Sequence, residues 1–192
     1  MSEGRLYYVM GPSGAGKDSV LGWVRAHGVS HDVLCAHRYI TRPADAGGEN
    51  HVALSDAEFA SRVRRGLFSL TWQAHGLNYG IGREVEHWLE RGARVLVNGS
   101  RDAFPRACER FPSLQPVLIT ASRETMARRL VSRGRESSQD IAERLARCDA
   151  YRVPAGALVI FNDGDLGEAG NALLGAITQP YQADQQSSSN KS

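Results

Sequence analysis

Lys17 closes the segment Gly11-Pro12-Ser13-Gly14-Ala15-Gly16-Lys17. That pattern is chemistry for holding phosphate. Its glycines let backbone N–H groups turn inward around an oxyanion with no Cβ in the way. The start of the following helix adds further donors. The lysine contributes a cation long enough to reach the β- and γ-phosphates of a nucleotide. The position after the lysine departs from the usual pattern: a Ser or Thr hydroxyl for Mg²⁺ is replaced by Asp18, with Ser19 one place later. A carboxylate is a hard oxygen ligand, so Asp18 is a candidate Mg²⁺ contact. Capping the helix or holding a neighbouring cation are alternative uses for it.

These residues need a strand before them and a helix behind them. Leu6-Tyr7-Tyr8-Val9-Met10 is apolar and strand-like, and Asp18 to Val24 opens a helix. Further strands are expected at Val33–Ala36, Arg94–Asn98, Pro116–Thr120 and Ala157–Phe161. Helices are expected to start at Ser55, where Ser and Glu58 have capping-box spacing, and over Arg83–Arg91, Ser122–Val131, Ile141–Tyr151 and Leu166–Thr178. Alternating strands and helices imply an α/β fold with a five-stranded parallel sheet covered on both faces. The Gln- and Ser-rich stretch 182–192 reads as a disordered tail.

The 192 residues suit one domain, and 42% hydrophobic content is enough for a sizeable core. With 23 basic and 21 acidic residues, overall charge gives no reason to expect nucleic acid or a membrane surface as partner. Cys35, Cys108 and Cys148 are too few and too scattered for a zinc site or a disulfide framework. No apolar stretch approaches the ~20 residues of a membrane span, and no signal-peptide region is evident. A cytoplasmic protein is the expectation; oligomeric state is not legible.

Gly11 to Lys17, Ile40-Thr41-Arg42-Pro43, Gly48-Glu49-Asn50, Tyr79-Gly80, the run Arg129-Leu130 to Arg133-Gly134-Arg135, and Asn162-Asp163 resemble guanylate kinase in order and spacing. The resemblance covers about 6–177 and implies a P-loop nucleoside-monophosphate kinase fold. On it the chain divides into a core (1–36, 83–131, 151–181), an acceptor-binding insertion (37–82) and a lid (132–150). Three departures argue against a purine monophosphate acceptor. No second arginine follows Arg42 within 43–47, Gln73 falls near the position of the guanine-reading acid, and Asn98-Gly99-Ser100-Arg101 replaces an Asp-x-Asp. An amide cannot accept two hydrogen bonds from guanine as an acid does.

Those departures, with Gly16-Lys17-Asp18-Ser19, Ala36 to Arg42, Glu49 to Ser55, Val95 to Arg101 and Arg133 to Glu136, are similar to the ribose 1,5-bisphosphate phosphokinases of phosphonate degradation. The resemblance implies an enzyme that uses ATP, with Mg²⁺, to convert ribose 1,5-bisphosphate into 5-phospho-α-D-ribose 1-diphosphate and ADP. The ATP site would comprise Gly11, Pro12, Ser13, Gly14, Ala15, Gly16, Lys17, Asp18, Ser19 and Asn162. Arg38, Arg42, His51, Gln73, Tyr79, Asn98, Ser100 and Arg101 are the candidate acceptor ligands. His37 and His75 are weaker candidates, since packed or solvated histidines explain them equally.

Between Arg123 and Arg152 lie eight arginines and no lysine. Arg123, Arg128, Arg147 and Arg152 read as a solvated face. Arg133, Arg135 and Arg144 correspond to lid arginines that, in the resembling family, clamp the transferred phosphoryl group beside Lys17. Phosphoryl transfer needs charge neutralisation and in-line placement more than covalent chemistry. Two other readings are a guanylate kinase or another small-metabolite kinase, and a non-catalytic scaffold, which the intact phosphate loop argues against.

Overall fold

A computed structural model describes residues 4–132, 134, 137–149 and 151–179. The expected tail at 182–192 lies outside the described residues. Five parallel strands form the main sheet: β1 (Arg5–Met10), β2 (Val33–Cys35), β7 (Arg94–Asn98), β8 (Gln115–Thr120) and β9 (Leu158–Phe161). Their order is β2-β7-β1-β8-β9, so β1 is central, and the loop leaving its carboxyl end lies where open parallel sheets bind ligands. All five coincide, within a residue or two at their ends, with the strands expected from sequence.

The alternation along β1 explains its two neighbours. Tyr7 and Val9 face α1 (Lys17–His27) and α7 (Leu166–Thr178), in a cluster with Val20, Val24, Leu173 and Ile177. Leu6, Tyr8 and Met10 point the other way, against Val95, Val97 and a second sheet. Successive strand residues alternate faces, so a run apolar at every position is buried on both sides. Leu173 in α7 is fully buried; truncation to alanine there costs about 2–5 kcal/mol.

The second sheet comprises β3 (Arg38–Ile40), β4 (Val52–Ala53), β5 (Phe68–Ala74) and β6 (Leu77–Gly82), ordered β4-β3-β6-β5. β5 and β6 form a hairpin in which Ala74 pairs with Leu77. Its two-residue turn, His75-Gly76, has φ of 51° and 74°, the double left-handed geometry that matches strand twist. Helix α2 (Asp56–Arg64) covers the outer face. Ser55 caps it, accepting from the Glu58 N–H at 3.2 Å. Inward, Ile40, Leu70, Trp72, Tyr79 and Ile81 join the Leu6-Tyr8-Met10 cluster.

Helices α3 (Glu84–Glu90) and α4 (Phe104–Arg110) flank β7. α5 (Arg123–Ser132) and α6 (Ser138–Asp149) pack Met126, Leu130, Ile141 and Leu145 against Ala15 of the phosphate loop. No helix among the described residues is long and apolar enough to cross a membrane.

Candidate active site

The phosphate loop is held from outside by backbone geometry. Gly14 and Gly16 sit at φ of 89° and 77°, where other residues are strained. A Cβ on Gly11 would lie 2.4 Å from the Ile119 carbonyl oxygen, and one on Gly16 2.4 Å from Asn162 Nδ2. Asn162 is buried and donates to the Ala15 carbonyl at 2.8 Å. Arg129 Nη1 lies 3.4 Å from the Gly14 and Ala15 carbonyls. A trans peptide holds its C=O and N–H on opposite sides, so tying these carbonyls outward turns the next N–H groups the other way. Asn162 thus braces the loop, while Asp163 Oδ1 accepts from the Ser122 N–H at 2.7 Å, ahead of α5.

Lys17 and Asp18 open α1, and Asn98 ends β7. Lys17 Nζ donates to Asp18 Oδ1 at 2.8 Å and to Asn98 Oδ1. The Asn98 amide nitrogen donates to Asp18 Oδ1 at 3.0 Å and to Glu49 Oε2 at 3.3 Å. Glu49 in turn holds Arg38, accepting from Nε at 2.7 Å and from Nη2. The chain Lys17–Asn98–Glu49–Arg38 therefore links the phosphate loop to the second sheet through side chains alone. Burial holds the Lys17 ammonium below its usual pKa, with Asp18 opposing. For Asp18, burial pushes the carboxyl up but is outweighed by Lys17, Arg38 and the Asn98 hydrogen bond, so it stays below the ordinary range.

Arg42 lies beside this network. Its Nη2 is 3.8 Å from Glu49 Oε1, donates to the Gly47 carbonyl at 3.1 Å, and stands 3.2 Å from His51 Nδ1. Tyr79 stacks on Trp72 at 5.4 Å and receives the Arg38 guanidinium 5.0 Å above its ring. It acts as a support for Arg38. Ser100 Oγ accepts from the Asp102 N–H, while its backbone N–H and C=O both bond the Tyr8 hydroxyl. Arg101 lies over the Tyr151 ring at 4.9 Å. Ser13, on the loop, accepts from Arg144 Nη1 at 3.2 Å, bringing α6 onto the phosphate loop. Ser19 is exposed in the first turn of α1.

Other candidates are not gathered in. Gln73 is exposed on β5 and bonds Asn78 Oδ1 at 2.9 Å; strand alternation puts it on the opposite face from Trp72. His75 is the exposed turn residue of the hairpin. His37 faces Asn50 at 3.0 Å, at the edge of the site. Arg133 and Arg135 lie outside the described residues. Three residues at the loop or the cleft were given no role by the sequence reading. Glu49 and Arg129 stood in family motifs without a role, and Arg25 was not singled out. Spacing held a signal for Arg25, seven residues after Asp18 on the same helix face.

A cleft of about 420 Å³ opens beside the network, bounded by Asp18 and Arg25 on α1, Cys35 on β2, Glu49 and Asn50 in the loop before β4, and Asn98. Among the described residues no three His, Cys, Asp or Glu side chains group to hold a metal. Asp18 and Glu49, both bonded to one amide nitrogen, are nonetheless a fitting hard-oxygen pair for Mg²⁺, which takes one or two carboxylates and completes its shell with water and phosphate oxygens.

A parallel sheet with a glycine-rich loop after its central strand, a lysine at the helix start and an arginine-bearing helix over the loop define a P-loop kinase. No family model matches the chain. It is 56% identical over 171 residues to the ribose 1,5-bisphosphate phosphokinase PhnN of Chromobacterium violaceum, covering 89% of this chain and 92% of that protein. Identity to the PhnN of Desulfomicrobium baculatum is 52%, covering 91% and 95%. The same named protein of Laribacter hongkongensis is 56% identical over 89% of this chain, which spans only 42% of that longer protein. The chain belongs to the ribose 1,5-bisphosphate phosphokinase family. Its fold resembles a guanylate kinase from Anaplasma phagocytophilum, with TM-score 0.64, 20% identity, and coverage of 92% of this chain and 85% of that one.

Proposed function

We propose that this chain transfers the γ-phosphoryl group of ATP to the 1-phosphate of ribose 1,5-bisphosphate, releasing ADP and 5-phospho-α-D-ribose 1-diphosphate. The observation that carries the reading is the continuous Lys17–Asn98–Glu49–Arg38 network. It supports the reading by joining the phosphate-loop lysine to an arginine of the second sheet beside one cleft.

An oxygen of the 1-phosphate forms the new bond to Pγ, and the bond from Pγ to the β-bridging oxygen breaks, its electron pair leaving on ADP. The nucleophile is already ionised near neutral pH, so no general base is required. Lys17 neutralises charge on the β- and γ-oxygens, and Arg38 and Arg42 orient the acceptor bidentately. Arg144, already on Ser13, clamps the transferred phosphoryl group when the lid closes, and closure excludes water that would divert transfer to hydrolysis. Asp18 and Glu49 would hold Mg²⁺, which would offset the negative charge of the phosphate groups. Arg133 and Arg135 are proposed as lid ligands on the family resemblance.

Phosphorus NMR of the protein with Mg-ATP and ribose 1,5-bisphosphate tests this. A diphosphate on C1 with the 5-phosphate monoester retained is the expected product. Accumulation of inorganic phosphate alone would contradict transfer.

A further inference from the structure

The cleft continues beyond the Lys17–Asp18 end along one face of α1. Asp18, Leu21, Gly22 and Arg25 line it, at the i, i+3, i+4, i+7 spacing of a single helix face. At 1.5 Å rise per residue, Arg25 starts about 10.5 Å along the axis from Asp18, and helical side chains lean back toward the N-terminus. Its head therefore covers the far end of the same cleft. Asn50 and Cys35 stand on the other wall.

Two observations mark that end as a ligand seat. The first is charge. Lys17 is paired with Asp18, and Arg38 with Glu49, while Arg42 has Glu49 and the Gly47 carbonyl. Arg25 makes no hydrogen bond or ion pair among the described residues, and its Nε is buried. That nitrogen has lost water without gaining a partner, a cost that an anion completing the guanidinium would offset. The second is shape. Gly22 stands in the interior of α1, where glycine is a poor helix residue. Packing does not require it, because a Cβ there would meet nothing within 4 Å. It leaves the cleft floor open between the two charged ends.

We propose that Arg25 binds the acceptor phosphate that does not react, and that Gly22 makes room for the sugar between the two phosphates. The assignment rests on the bisphosphate acceptor proposed above. It explains how a substrate with no base is held at a fixed distance from Lys17: its second phosphate serves as the handle. Binding energy from that remote group is then available to position the reacting phosphate.

The experiment compares wild type with Arg25→Gln, Arg25→Lys and Gly22→Leu. Steady-state kinetics give KM for ribose 1,5-bisphosphate and for ATP. Titration calorimetry gives the affinities of ribose 5-phosphate, which keeps only the distal phosphate, and of ribose 1-phosphate, which keeps only the reacting one. Arg25→Gln is expected to raise KM for the bisphosphate and Kd for ribose 5-phosphate by about 10- to 100-fold, as for a lost charge-assisted hydrogen bond. ATP and ribose 1-phosphate should be unaffected, and Arg25→Lys should restore part of the loss. Leucine suits a helix better than glycine, so Gly22→Leu should keep its Tm yet weaken both ribose 5-phosphate and bisphosphate binding. Equal weakening of both monophosphates, or no change in ribose 5-phosphate affinity, would overturn the assignment. Wild-type binding of ribose 5-phosphate that Arg25→Gln abolishes, without turnover of the bisphosphate, would overturn the functional reading and leave the Arg25 site standing.

Discussion

Asn98 Oδ1 accepts a hydrogen bond from Lys17 Nζ, so the end of β7 and the phosphate loop share one polar contact. The amide nitrogen of the same side chain donates to Asp18 and Glu49. Asn98 can serve an ammonium and two carboxylates only because an amide is both acceptor and donor.

Replacing it with a carboxylate breaks that arrangement. Asn98→Asp keeps an acceptor for Lys17 but sets a like charge against Asp18 and Glu49 and removes a donor from each. The depressed Asp18 pKa should rise, so the acid limb of kcat/KM moves to higher pH. Linkage has the same sign. A carboxyl whose folded pKa is lowered contributes stability above its unfolded value of 3.8, lost as pH falls through the folded value. In Asn98→Asp that contribution shrinks and acid unfolding begins at higher pH. A pH–rate profile with an unmoved acid limb would count against the network.

Asp18 stands where a metal-binding hydroxyl is usual. Asp18→Ser should alter the Mg²⁺ concentration needed for half-maximal activity and weaken the hold on Lys17. Titrating Mg²⁺ at saturating ATP checks this; superimposable curves for wild type and variant would remove Asp18 from the metal site.

Lys17→Ala and Arg144→Ala separate the loop from the helix above it. Each should lower kcat by about 10²-fold or more if the group meets the transferred phosphoryl in the transition state. Rapid-quench single turnovers measure this. A variant with near wild-type chemistry takes its residue off the catalytic list.

Tyr8 tests the scaffold behind the site. Its buried hydroxyl donates to the Ser100 carbonyl at 2.9 Å and accepts from the Ser100 N–H at 3.0 Å. Burial pushes its pKa up to about 12. Tyr8→Phe leaves both backbone groups unpaired and should cost about 1–3 kcal/mol. Urea unfolding with an unchanged m-value measures the loss, and a midpoint equal to wild type would contradict it.

The main sheet was legible because its strands are long enough to show unbroken apolar runs, as in Leu6–Met10 and Val95–Val97. The Ser55 cap was legible because side-chain oxygen and acid at fixed spacing are local signals. The second sheet was not. β3 and β4 have three and two residues, too few to show alternation, and β3 exists through pairing with β6, Arg38 with Ile81. In the site, the phosphate loop declares itself by local spacing, and Arg38, Arg42, His51 and Asn98 came with the family motifs. Gln73 and His75 lie in the right segment but on the wrong face or turn, which register decides. Arg25 shares a helix face with Asp18 in the sequence, but that its Nε is buried without a partner is a property of three-dimensional surroundings.

The most direct measurement is ADP release from Mg-ATP with ribose 1,5-bisphosphate and GMP tested side by side as acceptors. Rapid release with the sugar bisphosphate and none above background with GMP is the result predicted. Release with GMP and none with the sugar would contradict the central claim and make this chain a guanylate kinase that reads its base without the usual acid.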